Sequence, residues 1–201
     1  MTLDWRAMSV SQYLDELAAA TPVPGGGAVA GVTLAQANAL GSMVVGYAIG
    51  KPKFAAHDAA HRTAHASFER GRQCALELAN EDARAYARLN ALWKLPKDAP
   101  ERSGFAEAVR GAIAAPEATL LLAQGTLECL AALVGTTSAS LASDLRIAID
   151  LAALGARAAQ ENVRINLPSI ADEAERSAIA ARTEAVLASL ARDAADLTRR
   201  I

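Results

Sequence analysis

Within "ELANEDARAYARLNALWKLPKD" one carboxylate differs in its setting from the rest. At 100° per residue along a helix, Ala75 and Leu89 fall within about 20° of Asp82, and Leu78 and Tyr86 within about 40°. Glu77, Glu81, Arg84 and Arg88 project elsewhere, onto a charged face of the ordinary solvated kind. A carboxylate on an apolar stripe must find a donor or hold its proton more tightly, because burying it ionised and alone is expensive. Such a group suits general acid or base catalysis. The competing explanation is a core aspartate with satisfied hydrogen bonds, or one lining a contact between subunits.

A second chemical feature is "TPVPGGGAVAG", where Gly25, Gly26 and Gly27 stand at the mouth of an uncharged segment. Three ordered glycines are entropically costly, so something must approach the backbone closely there. "GGGAVA" fits G-x-G-x-x-A, but the residues before it read as helix and loop, whereas a dinucleotide site needs a strand. No Gly-Lys-Ser/Thr follows, so it is not a P-loop. Two explanations remain, and the residues alone do not choose between them. Bare N–H groups at a helix N-terminus can cradle a carboxylate or carbonyl oxygen, or the glycines permit a tight turn with close helix packing.

Three weaker features accompany these. Asn162 and Asn166 lie one turn apart near a helix end, where asparagine is a poor filler, and their amides can serve a polar heterocycle. Ser143 is placed to cap a helix, with Asp144 in its first turn. His57, His61 and His65 are spaced like metal ligands, but eight helical residues rise about 12 Å, too far for the outer two to share an ion at bonds of about 2 Å. A packing or solvent-facing row is expected, and no metal site.

The elements that must position these residues are all helical. Ser9 with Gln12 predicts a capping box opening a helix to about Ala20. The loop Thr21–Gly27 leads to an uncharged helix ending near Ile49, stopped by Gly50-Lys51-Pro52. A very long helix follows from about Phe54 to Trp93, broken by "KLPKDAPERSG". Another starts near Phe105, with Pro116 expected to kink it or to begin a new helix. After the loop "GTTSAS" come two more, about Ser143–Asn166 and Asp172–Arg199. No stretch alternates as a strand would. The expected fold is an all-α antiparallel bundle of about five to six helices with long central helices, forming one domain over residues 1–201.

Composition bounds the function. The 201 residues are 52% hydrophobic but only 4% aromatic, an alanine-rich balance that favours helix. A net charge of −2 offers no basic field to nucleic acid. "MTLDWRAMSV" carries acid and no apolar core, so no secretory signal is read there. Cys74 and Cys129 lack C-x-x-C spacing, and free thiols in a reducing cytoplasm are expected. From Gly25 to Gly50 no charge occurs, which meets the length of a membrane span. Thr33, Gln36, Asn38, Ser42 and the small-residue row Gly27, Gly31, Ala35 and Ala39 favour instead a buried central helix closely approached by its neighbours.

Taken in order, "YLDELAAATPVPGGGAVAG", "GKPKF", "EDARAYARLNALWKLPKD" and "SDLRIAIDLAALGARAAQENVRINL" resemble the cyclodeaminase domain of formiminotransferase-cyclodeaminase. They are similar also to the stand-alone bacterial methenyltetrahydrofolate cyclohydrolases. The pattern covers nearly the whole chain. Its specific part is the proline-triglycine motif followed by Gly-Lys-x-Lys-aromatic, Asp-x-x-x-Tyr/Phe and Leu-Pro-Lys. The resemblance implies an all-helical homodimer and a tetrahydrofolate derivative as substrate, with no separate cofactor. The catalytic aspartate of the family falls on Asp82. Substrate binding is expected of Gly25, Gly26, Gly27, Lys51, Lys53, Asp144, Asn162 and Asn166. The glycines would leave room for a flat pterin or its tail near the subunit interface, and Lys51 or Lys53 would meet the glutamate carboxylate. Pro52 departs from the basic run common after the glycine, and the formiminotransferase half is not among these residues.

Two reactions follow from the resemblance. In one, N10 attacks an N5-formimino carbon and ammonia leaves. In the other, water attacks the methenyl carbon and the ring opens to 10-formyltetrahydrofolate. Each needs one group to move a proton. The expected activity is the cyclohydrolase, with the cyclodeaminase and a non-catalytic folate-binding dimer as alternatives.

Overall fold

A computed structural model describes residues 4–201; residues 1–3, part of the stretch read above for a secretory signal, lie outside the described residues. Among the described residues there are six α-helices and no strand: α1 (Val10–Ala18), α2 (Gly26–Gly46), α3 (Asp58–Trp93), α4 (Phe105–Ala131), α5 (Ala142–Asn166) and α6 (Glu173–Arg200). The all-α bundle expected from the periodicity is present. Ser9 caps α1 as its type predicts: its Oγ accepts the N–H of Gln12, whose side-chain oxygen accepts the Ser9 N–H.

Helix boundaries differ from expectation at α2, which also ends at Gly46 rather than near Ile49, at α3, which starts at Asp58 behind a 3₁₀ turn rather than near Phe54, and at α5. α2 begins at Gly26, so two of the three glycines belong to the helix rather than to the loop. α5 begins at Ala142, because a 3₁₀ turn over Ala139–Leu141 runs straight into it; Ser143 is therefore inside the first turn and caps nothing. Of the two expectations at Pro116, no new helix begins there: α4 passes through it as one helix. Proline lacks an N–H, so the carbonyl one turn earlier, that of Ala112, loses its helical donor. The side-chain amide of Asn166 reaches that carbonyl from α5, at 3.4 Å.

Short connections make successive helices antiparallel. α2 lies between α3 and α5, α4 packs against the same two, and α6 closes over α4 and α5. The ion pairs Arg110–Glu175 and Arg182–Glu117 tie α6 to α4. Phe68, Leu34, Leu120, Leu130, Ile149 and Leu190 fill the main core. A second cluster, with Leu89, Val109, Ile113 and Val163, fills the end where α3, α4 and α5 meet. Among the described residues α2 is the one helix long and apolar enough to cross a membrane, yet 61% of its apolar window is buried inside the bundle. It takes the central place expected for it.

That place depends on small residues. A Cβ added at Gly31 would stand 2.7 Å from the carbonyl oxygen of Ala75 and 2.8 Å from the Cβ of Ala79. The contact is backbone against backbone, so neither side can rotate away. Gly31→Ala should therefore cost roughly 1–3 kcal/mol of stability, as overpacking does. Gly111→Ala, in α4 with nothing within 4 Å of the new Cβ, should gain about 0.5–1 kcal/mol by helix propensity. Urea unfolding of both variants reads the contrast; equal effects would mean α2 and α3 are not held at contact.

Candidate active site

The antiparallel order brings four helix ends together. The first turn of α2, the last third of α3, the start of α4 and the last turns of α5 enclose a cleft of about 240 Å³. Gly25, Gly26 and Gly27 form one wall, Asp82, Tyr86 and Trp93 a second, and Asn162, Ile165 and Asn166 a third, with Ala112 beneath. Asp82 and Tyr86 are the titratable side chains among the lining residues.

The glycines find their first explanation here. A Cβ on Gly27 would lie 2.1 Å from Oδ2 of Asp82 and 2.2 Å from its Cγ. The space that residue 27 leaves empty is filled by the Asp82 carboxyl. On Gly26 a Cβ would sit 3.4 Å from Nδ2 and 3.5 Å from Oδ1 of Asn162. Neither these glycines nor Gly25 has positive φ. Gly27 is required by close approach of the protein's own Asp82, whereas a Cβ at Gly26 or Gly25 would make only ordinary contacts, with Asn162 and with the Pro22 carbonyl at 3.8 Å. The expectation that ligand occupies this space is corrected for Gly27.

Asp82 is half-buried, and among the described residues no donor or cation reaches its carboxyl. Burial alone pushes its pKa up, from 3.8 to about 6. Ala75 and Leu89 on the same stripe are fully buried, while Glu81, Arg84 and Arg88 are exposed, as the helical wheel predicts.

The asparagines are held by their own helix. Nδ2 of Asn162 donates to the carbonyl of Ala158 at 2.8 Å, and Nδ2 of Asn166 donates to the carbonyl of Asn162 at 2.9 Å. Asn166 is only 4% exposed, and its Oδ1 is buried without a partner.

Aromatic residues complete the cleft and were not singled out from the sequence as binding groups. The rings of Tyr86 and Trp93 meet edge to face with centroids 6.2 Å apart, and Phe105 backs Trp93 at 6.5 Å. The signal was available, since Trp93 falls within about 20° of Asp82 on the same wheel. Ile165, 72% exposed, forms an apolar lip.

Three residues expected at the site are elsewhere. Lys51 and Lys53 follow the far end of α2, a helix about 30 Å long, and the Lys53 ammonium lies over the Phe54 ring at 5.4 Å. Asp144, in the first turn of α5, is more than four turns from Asn162. Within one protomer none of them shares a ligand with Asp82. The histidine row sits at that far end too, where Nε2 of buried His61 meets Oγ1 of Thr136 at 3.1 Å.

Comparison with known proteins gives the family. The formiminotransferase-cyclodeaminase family model matches residues 9–185, and the chain belongs to that family. It is similar to the formimidoyltransferase-cyclodeaminase of Sus scrofa, 30% identical over 180 residues, which cover 87% of this chain and 33% of that protein. The chain thus spans about a third of the length of that relative. A methenyltetrahydrofolate cyclohydrolase of Methylorubrum extorquens is 27% identical over 171 residues, 83% of this chain and 82% of its own. In fold, the chain resembles the crystal structure of a formiminotetrahydrofolate cyclodeaminase from Thermotoga maritima, with a TM-score of 0.85 and 24% identity, covering 96% and 97% of the two chains.

The raised pKa has a consequence for stability. Because folding raises the pKa of Asp82 from 3.8 to about 6, the native state binds this proton more tightly than the unfolded chain does. That contribution is fully present below pH 3.8 and is lost as pH rises through 6. Asp82→Asn has no such loss. Its melting temperature relative to the parent should climb between about pH 4 and 6 and level off above. A difference that stays flat across this range would mean the carboxyl is not perturbed.

Proposed function

We propose that this protein is a methenyltetrahydrofolate cyclohydrolase, opening 5,10-methenyltetrahydrofolate with water to 10-formyltetrahydrofolate, with Asp82 as the general acid and base. The observation that carries this reading is an unpartnered carboxyl of raised pKa facing a cleft walled by aromatic rings and backbone. With a pKa of about 6, Asp82 is mostly ionised at neutral pH with about a tenth still protonated, so it can both take and return a proton. It takes one from the attacking water and returns one to N5 as the carbon–N5 bond breaks. Neither step changes oxidation state, so proton transfer is the chemistry asked of the protein. Tyr86 and Trp93 offer faces to a flat ring, and the cleft suits the ring end of a folate with the tail extending to solvent.

The cyclohydrolase is preferred over the cyclodeaminase because the Methylorubrum cyclohydrolase is matched over most of its own length, the two-activity mammalian protein over a third. The cyclodeaminase would use the same Asp82 to protonate departing ammonia, and the identity to the Sus scrofa protein supports it as the second reading. Ammonia release from 5-formiminotetrahydrofolate would select it. Folate binding without acceleration of either reaction would leave only a binding protein.

The protein is proposed to work in the cytoplasm as a homodimer. α1 has no buried residue, and Val10 (76% exposed), Leu14 (53%) and Tyr47 (63%) present apolar surface alongside α2 that a second subunit would cover. Light scattering at micromolar concentration should give twice the chain mass; a monomer would overturn the dimer.

Turnover is read by loss of the near-ultraviolet absorbance of methenyltetrahydrofolate. Asp82→Asn should fold and bind folate while kcat falls by about two to four orders of magnitude. Glu81→Gln, on the exposed face next door, should change kcat little. An Asp82→Asn protein that keeps most of its activity would overturn the assignment.

A further inference from the structure

Two side chains converge on the Gly26–Gly27 step. From α3 the Asp82 carboxyl occupies the space beside Gly27; from α5 the Asn162 amide lies beside Gly26, within 3.4–3.5 Å of where a Cβ would stand. The orientation of that amide is chemically determined. Its NH₂ group donates to the Ala158 carbonyl at 2.8 Å, and the flipped amide would set oxygen against oxygen. Oδ1 is thereby turned away from the helix backbone. Among the described residues no donor reaches it, and it is not among the sealed polar atoms, whereas Oδ1 of Asn166 is. Asn162 therefore offers the cleft an uncommitted acceptor, beside an NH₂ group of which one N–H is already spent on its own helix.

The turn that carries it is braced. Asn166 spends its NH₂ on two carbonyls, that of Asn162 at 2.9 Å and that of Ala112 at 3.4 Å. The second lacks its helical donor because Pro116 has no N–H to give it. One amide thus joins the last turn of α5 to α4 and limits how far Asn162 can move.

We infer that Asn162 is a second catalytic residue, accepting a hydrogen bond from the attacking water on the side opposite Asp82. This rests on the hydrolytic reading above. The water gives one proton to the Asp82 carboxylate and keeps the other in a hydrogen bond to Oδ1 of Asn162. Its oxygen lone pair is then free to form the bond to the methenyl carbon. As the adduct collapses, the carbon–N5 bond breaks, the Asp82 proton passes to N5, and the remaining hydroxyl proton is released as the formyl carbonyl forms. Both protons of the water are accounted for.

The test pairs two variants with two readouts. Asn162→Ala removes the acceptor and should lower kcat about 10- to 100-fold without moving the pKa of Asp82. Asn162→Asp places a second carboxylate across the glycine step and should raise the Asp82 pKa above about 6, because like charges oppose ionisation. The pKa is followed by carboxyl ¹³C NMR of the free protein, so it does not depend on turnover. Asn162→Ala with near-parental kcat, or Asn162→Asp with an unmoved Asp82 titration, would overturn the inference. Either result, alongside an inactive Asp82→Asn, would leave the hydrolytic reading standing; an active Asp82→Asn would remove that reading instead.

Discussion

Asp82 can lie against the first turn of α2 only because residue 27 carries no side chain, and much of the architecture serves that one contact. With any Cβ at that position the carboxyl could not stay where it is. Where it stands, it is half-buried, finds no donor among the described residues and holds its proton more tightly than a free carboxylate. Few functional groups are positioned by an absence, and this one needs two helices from distant parts of the chain at contact distance.

The contact distance comes from composition. Gly31 and the buried alanines of α2 and α3 bring the two backbones together, and Gly155 lets α5 approach from the other side, within 3.3 Å of the Ala30 carbonyl if a Cβ were added. An alanine-rich bundle buries less apolar surface per residue than one built of leucine, but it packs closely and leaves little room for slippage. The loss is recovered in length: α3 runs 36 residues and spans the whole bundle. Its far half packs the core while its last third presents Asp82, Tyr86 and Trp93 along one stripe.

Periodicity in the sequence was enough to lay out the helices and to separate Asp82 from Glu77 and Glu81, since a helical wheel is a local property. At Pro116 the sequence left one kinked helix and two helices both open, because the donor that compensates the lost bond, Asn166, is distant in sequence and meets Ala112 only after folding. Lys51 and Lys53 were grouped with the glycines on pattern alone. The rod between them is about 30 Å long, and it carries them to the opposite end of the protomer. The length of α5 likewise separates Asp144 from Asn162 within one protomer. The glycines were the most informative case: the sequence left ligand binding and close packing open, and the group that excludes a side chain at Gly27 comes from α3, which no local window contains.

The fold itself makes Asp82 hold its proton up to about pH 6, well above the range of a free aspartate. Carboxyl ¹³C NMR of the free protein, with the resonance assigned by its loss in Asp82→Asn, measures this without ligand or assay. The account predicts a midpoint near pH 6. A midpoint near 4, where unperturbed aspartates titrate, would contradict it.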